Sequence, residues 1–507
     1  MNEKIALLII GGMMTVSCSD WLDVIPKDSI VESDLFKEST GFQNSLNGVY
    51  ELMSGDKLYG RELSYGLIDA MGQVYYLTDN SWYSGINKNH YYYQAAKFQY
   101  DANPNIKDAF EGIWQTAYKA IANCNNIIGH IGELRTTDFR LGEAERNLIK
   151  GEAMAARAIL HFDLLRLFAP APVTEDGGLY IPYVTVFPYY GGQSPLSVKE
   201  TMGKIVGDLE EAKKMIMAYD TLNMANRSLL SRDFRFEPTM TSVHSEDGSD
   251  VEMRVFYQYR GYRINALAVT AMLARVYSWW GGDKLQLAAD NANEVIGFLA
   301  YQAEGVKALG YTKDNLEVDR KFILDLIFCL SNPLLQQTYA EGYLSEKSNS
   351  FLCLNKYNKI WKDDLADGGD TRLGLINHKE WEWDAPLKNV RPAGSGKLIT
   401  VTEDMVPMIR LSEMHFVLAE YCASTGNYAG AAENIRQVRM GRKCDGNKDL
   451  GITDMTTFKT RLLSEVCREF FSEGQTFFYY KKYNEPLIKG MDTGAFVVQK
   501  PDSENIN

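Results

Sequence analysis

The residues best suited to chemistry are aromatic rings interleaved with amides and carboxylates. Tyr75, Tyr76, Asp79, Asn80, Trp82, Tyr83, Asn87 and Asn89 lead into Tyr91, Tyr92 and Tyr93, with Gly85 at an expected turn. Trp361, Asp363, Asp364, Arg372, Trp381, Glu382 and Trp383 form a second group. A neutral sugar offers C–H faces and hydroxyls without charge, so flat rings cover the faces and neighbouring polar groups bond the hydroxyls. The same rings also serve to anchor loops on a scaffold. The expected ligand contacts are Tyr75, Tyr76, Asn80, Trp82, Tyr83, Trp361, Arg372, Trp381 and Trp383.

Other chemistry has weaker support. Glu380, Glu382 and Asp384 beside Trp381 and Trp383 could form a glycosidase pair. That reaction needs two carboxylates about 5 to 9 Å apart across the sugar, which alternation along a chain does not establish. Asp445, Asn447 and Asp449 alternate like calcium ligands, but the glycine falls at Gly451 and no glutamate closes the loop. A helix-connecting loop explains them. His161 and His415 lie in helical stretches without a paired metal ligand. Gly394-Ser395-Gly396-Lys397 lacks the first glycine and the closing Ser or Thr of a phosphate loop, with Arg391 and Leu398 in those places. No catalytic residue, metal site or cofactor is expected.

The elements that must position these residues are mostly helical. Ile149, Ala153, Ala156, Leu160, Leu164 and Leu167 recur at helical spacing and predict a long helix over 138–168, with Asp138 as N-cap and Pro170 ending it. A first helix begins near Gly41 and turns Phe42, Leu46, Val49 and Tyr50 inward. Similar patterns cover 106–134, 198–217, 264–280, 285–299, 408–425, 429–440 and 458–473. Gly282-Asp283 and Gly426-Asn427 mark turns between helical patterns, as in tetratricopeptide hairpins. Long segments at 169–195, 218–261, 300–322 and 344–407 read as aromatic-rich loops with short β pairs, one of them near 252–259.

Composition narrows the partners. With 507 residues and a net charge of −13, the chain is poorly suited to nucleic acid or an anionic membrane surface. Lys4 precedes an apolar run from Ile5 to Val16, then Ser17-Cys18. That run is shorter than the about 20 residues a spanning helix needs and fits a signal peptide. A cysteine after the small residue matches a lipoprotein signal, although Thr15 stands where Leu is usual, and Cys18 is the expected lipidation site. Cys124, Cys329, Cys353, Cys422, Cys444 and Cys467 show no metal spacing and are expected to be buried thiols; no disulfide pairing follows from their spacing.

Taken in order, several stretches resemble the SusD/RagB family of outer-membrane lipoproteins. Cys18-Ser19-Asp20-Trp21-Leu22-Asp23 with Pro26 resembles its mature start. Trp114, Tyr118, Ile121 and Asn125 match a W-x3-Y-x2-I-x3-N pattern. Glu152-Ala153, Arg157-Ala158, Phe162, Leu164, Arg166 and Phe168 resemble its most recognisable helix, and Ile181-Pro182-Tyr183 follows. Arg410, Ser412-Glu413, Ala419-Glu420, Arg436, Arg439, Glu465, Arg468-Glu469 and Glu473-Gly474 complete the set. Gln475, Tyr479 and Lys482 depart from it.

The resemblance implies a mostly α, SusD-like fold with tetratricopeptide-like hairpins, long irregular loops and short β pairs. It implies a signal peptide over 1–17, a lipid-anchored tether over 18–40 and a single domain over 41–507, with parts at about 41–218 and 261–507. It further implies a binding protein facing the cell exterior, capturing oligosaccharides for a SusC-like TonB-dependent transporter. Two rivals stay open on the residues alone: the same scaffold binding peptides, and a surface glycoside hydrolase. A purely structural interaction protein is a third.

Overall fold

A computed structural model describes residues 35–79, 85–188, 193–232, 234–237, 242–244, 250–252, 255–301, 309, 314–340, 352–379 and 383–501. Cys18, Asn80, Trp82, Tyr83, Trp381 and Glu382 lie outside the described residues.

The fold is mostly α with short β pairs, as expected. The main helices are α1 Ser39–Ser54, α2 Pro104–His130, α3 Gly142–Phe168, α4 Val198–Asp220, α5 Ala266–Trp280, α6 Leu285–Tyr301, α7 Leu411–Ser424, α8 Tyr428–Gly441, α9 Met455–Phe470 and α10 Thr476–Tyr483. Local sequence sets their starts. Asn103 caps α2 by accepting from the Asn105 N–H at 2.9 Å, with Pro104 in the first turn, where its missing N–H costs nothing. Ser197 and Glu200 form a reciprocal capping box on α4. Asn427 accepts from the Gly430 N–H at 2.9 Å and opens α8. The helices from α2 to α8 pack in chain order, each against the next, which makes the stack of hairpins that the glycine turns implied.

α3 packs between α2 and α4 and departs from its expected form twice. It starts at Gly142, because Asp138 closes a separate 3-10 turn by accepting from the Arg135 N–H at 3.1 Å. It also buries far more than one apolar stripe: every residue from Gly151 to Phe168 is buried. Neighbours on all sides therefore have to satisfy its polar groups. Glu152 accepts from Tyr50 at 2.6 Å and from Arg260 at 2.7 Å. Arg157 makes two 2.8 Å bonds to Asp208 and a third, also 2.8 Å, to Asn125. His161 donates from Nδ1 to the Arg157 carbonyl at 2.9 Å and accepts the Val184 N–H on Nε2 at 3.0 Å. Burial pushes that imidazole down to about 3, so it is a neutral structural group.

The strand pairs are β1 Leu77–Thr78 with β2 Ile86–Asn87, β3 Ser242–His244 with β4 Asp250–Glu252, β5 Leu326–Ser331 with β8 Met405–Arg410, and β6 Ile376–Lys379 with β7 Trp383–Pro386. The β5–β8 pair corrects the helix expected from 408. Residues 405–410 pair antiparallel with β5, from Leu326 opposite Arg410 to Ser331 opposite Met405, and α7 starts only at Leu411. The apolar run of β5 supplies the partner that draws this stretch into a strand. The β segment expected over 252–259 is corrected: β4, paired with β3, shares only Glu252 with it, and residues 255–257 form a 3-10 turn. The six cysteines past position 100 are free; all but the half-buried Cys422 are buried. Among the described residues no helix is long and apolar enough to cross a membrane.

Candidate functional site

Main-chain hydrogen bonds join the two aromatic segments, which stand far apart in sequence. Tyr75 bridges Leu354 antiparallel. The Tyr76 N–H donates to the Cys353 carbonyl, and the Asn355 N–H to the Val74 carbonyl, each at 2.8 Å. On its other side the Leu354 N–H donates to the Asp384 carbonyl at 2.8 Å, which brings in β7. Residues 74–76, 353–355 and the β6–β7 hairpin thus form one seam on the helical scaffold. The segment that follows residue 76 and the one that joins β6 to β7 are the two aromatic excursions attached to it.

Alternation along the seam divides neighbouring side chains between core and solvent. Tyr75 is 1% exposed and its hydroxyl donates to the Tyr65 carbonyl at 2.6 Å. Tyr76 is 46% exposed. Its carbonyl accepts the Ile86 N–H at 2.9 Å, and its ring passes close to Gly85. A Cβ at Gly85 would lie 2.9 Å from that ring, and the residue holds a φ of 118°, so glycine suits the position on both counts. Asp79 accepts from the Tyr93 hydroxyl, and the Lys97 ammonium lies 4.0 Å from the centre of the Tyr93 ring. Tyr91 and Tyr92 both donate to Glu62, at 2.7 and 3.0 Å, which ties the segment down. Trp383 opens β7 opposite Lys379.

Three expected contacts are corrected by their burial. Tyr75, Trp361 and Arg372 have almost no surface to offer a ligand. Trp361 packs against Phe471, with ring centroids 6.4 Å apart. Arg372 sits in a buried ion network, bonded to Asp370 at 2.8 Å, Glu465 at 3.0 Å and Glu469 at 3.2 Å. Two other residues of that group are also engaged: Asp363 by Arg468 and Asp364 by Arg461.

The network extends through the C-terminal signature residues. Glu465 also accepts from Arg468 at 2.7 Å and from Arg439. Glu469 pairs with Arg442, and Glu473 with Arg410 and Lys388, both at 2.6 Å. Burial alone would push the Glu465 carboxyl up, but the guanidiniums of Arg372, Arg468 and Arg439 outweigh it and hold the group at about 2. Gly474 follows in a left-handed turn, φ 70°, where a Cβ would stand 2.1 Å from the Leu63 carbonyl oxygen. Its N–H donates to Asp69 at 3.0 Å.

The N-terminal signature is equally structural. Tyr118 donates to the Pro182 carbonyl at 2.9 Å and Asn125 to the Val184 carbonyl at 3.0 Å, so one motif pins the other. Of the departures from the family pattern, Gln475 accepts from Arg166 at 3.2 Å and Lys482 pairs with Glu420. Asp445 and Asp449 spend carboxylate oxygens on the N–H groups of Asn447 and Gly451, both at 2.9 Å, in the loop between α8 and α9.

Comparison with known proteins gives these motifs a family. Residues 20–227 match a family described as starch-binding and associating with the outer membrane, and residues 342–495 match the SusD family. The two stretches together cover more than half of the chain. SusD-like protein P2 of Formosa agariphila is 26% identical over 174 residues, 34% of this chain and 31% of that protein, so the match spans under a third of that relative's length. A solved SusD superfamily protein from Bacteroides thetaiotaomicron superposes with a TM-score of 0.66 at 21% identity, covering 92% of this chain and 97% of the other. A SusD-like carbohydrate binding protein from Bacteroides vulgatus superposes with a TM-score of 0.63 at 17% identity, covering 89% and 84%. These structural likenesses establish a shared fold, and with the sequence matches they place the chain in the SusD/RagB family.

Proposed function

We propose that this protein captures oligosaccharides at the cell surface without cleaving them, and passes them to a SusC-like TonB-dependent transporter in the outer membrane. A lipid on Cys18 would hold it there, facing the exterior. The observation that supports the reading is the seam, whose main-chain bonds join the segment of the exposed Tyr76 to the β6–β7 hairpin through residues 353–355. Family membership supports both the ligand class and the membrane association.

The described carboxylates near the rings favour a neutral ligand over a cationic peptide, because they already have partners. Asp79 is engaged by Tyr93 and Asp384 by Lys356, the latter at 3.6 Å. Affinity electrophoresis of the full chain in gels cast with soluble starch or other polysaccharides tests the reading. Retardation that Tyr76→Ala or Trp383→Ala abolishes supports it. Retardation indifferent to both changes would remove the seam as the binding surface, and release of reducing sugar would overturn the non-catalytic assignment.

A further inference from the structure

A cavity of about 750 Å³ opens between α1, residues 255–263, the end of β5 and the stretch leading into β8. None of the seam residues lines it. Its size lies within the about 300–1,000 Å³ common for small-molecule sites.

Its near wall is written into α1 as two stripes one position apart. Phe42, Leu46, Val49 and Met53 are fully buried in the core. Gln43, Asn47, Tyr50, Glu51 and Ser54 follow the same helical spacing and line the cavity. The far wall is aromatic. Tyr259 and Tyr262 stand with ring centroids 6.5 Å apart, inclined at 57°. The Tyr262 hydroxyl donates to the Val401 carbonyl at 2.7 Å, which fixes that ring. Tyr259 is 38% exposed and sits at φ 53°, a left-handed conformation uncommon for a residue with a side chain. Such conformations concentrate at ligand sites.

Polar groups complete the site. Arg263 stacks over Phe256 at 4.0 Å, donates to Asn47 Oδ1 at 3.0 Å and pairs with Glu152 at 2.9 Å. That bond fixes the Asn47 amide and leaves its Nδ2 to donate. It also occupies the cation of the lining, to which Glu51 and Asp404 add carboxylates, the second of them also accepting from the Ser331 hydroxyl. An anion would meet those two carboxylates. The Tyr259 and Tyr262 rings together with the fixed Asn47 amide and these acceptors suit a neutral ring bearing hydroxyls.

We propose that this cavity is a second carbohydrate site, separate from the seam, which takes a short neutral oligosaccharide. Its existence does not depend on the seam binding anything. The test is calorimetric titration of the full chain with maltotriose, cellotriose and mannotriose, comparing wild type with Tyr259→Gly, Asn47→Leu and Tyr76→Ala. Tyr259→Gly removes the ring while relaxing the backbone, and thermal melting of each variant confirms that it folds. The expected result is binding of at least one trisaccharide, weakened about tenfold by Tyr259→Gly through lost stacking. Trisaccharide binding absent from wild type, or unmoved by both Tyr259→Gly and Asn47→Leu, overturns the cavity site. Loss in Tyr76→Ala alone also overturns it while supporting the seam. Loss in Tyr259→Gly alone establishes the cavity and counts against the seam.

Discussion

Arg410 grips Glu473 with two charge-assisted hydrogen bonds, at 2.6 and 2.7 Å, and both side chains are buried. The pair fastens the last residue of β8 to the turn after α9. Lys388 reaches the same carboxylate at 2.6 Å. Removing Arg410 takes two charge-assisted bonds from a buried carboxylate that keeps only Lys388, and takes the donor from the Lys321 carbonyl, which Arg410 also bonds at 2.7 Å. Arg410→Ala is therefore expected to cost about 3–5 kcal/mol. Chemical denaturation measures it; a loss below about 1 kcal/mol would show that solvent reaches the pair.

The neighbours Tyr75 and Tyr76 should respond oppositely. Tyr75→Ala empties a buried site and removes the hydrogen bond to the Tyr65 carbonyl, a loss of about 3–5 kcal/mol. Tyr76→Ala removes an exposed ring and should stay within about 0.5 kcal/mol of wild type. Melting curves of the two variants decide; equal destabilisation would contradict the division of faces along the seam.

Acid should loosen the C-terminal half by a definite route. Glu465 titrates at about 2 in the folded chain, against an ordinary 4.5. Its ionised form thus stabilises the fold above pH 4.5, and that contribution drains away as pH falls from 4.5 through about 2. Across that window the melting temperature should fall more steeply for wild type than for Glu465→Gln, which lacks the titrating group. Parallel curves would mean that the carboxyl is not held down by its arginines.

Membrane attachment has a simple genetic test. Cys18→Ser should move the protein from the membrane fraction to the soluble one after cell lysis. Retention with the membranes would argue against acylation at that cysteine.

Helices were legible where period and caps agreed. The expected helix over 198–217 and the observed Val198–Asp220 share a start, because Ser197 and Glu200 write a capping box into the chain. The strand Met405–Arg410 was not legible, since its short apolar run takes its form from β5, a partner about 80 residues earlier. The burial of Arg372 was equally hidden: beside tryptophans it resembles a ligand contact, and only folding brings Glu465 and Glu469 to it. The seam itself left no local signal, because residues 74–76 and 353–355 find each other only in three dimensions. The polar stripe of α1 was there to be seen beside its apolar one, offset by a single residue.

Because the segment after residue 76 and the one joining β6 to β7 are tied to the same few main-chain bonds, the proposed recognition surface would be a cassette whose two halves are inherited together. Main-chain pairing is indifferent to side-chain identity, so the excursions can diversify in composition while the seam keeps its register. A chimaera that exchanges both excursions with a relative should carry that relative's ligand preference on this scaffold. One that exchanges a single excursion should fold and yet bind neither ligand well.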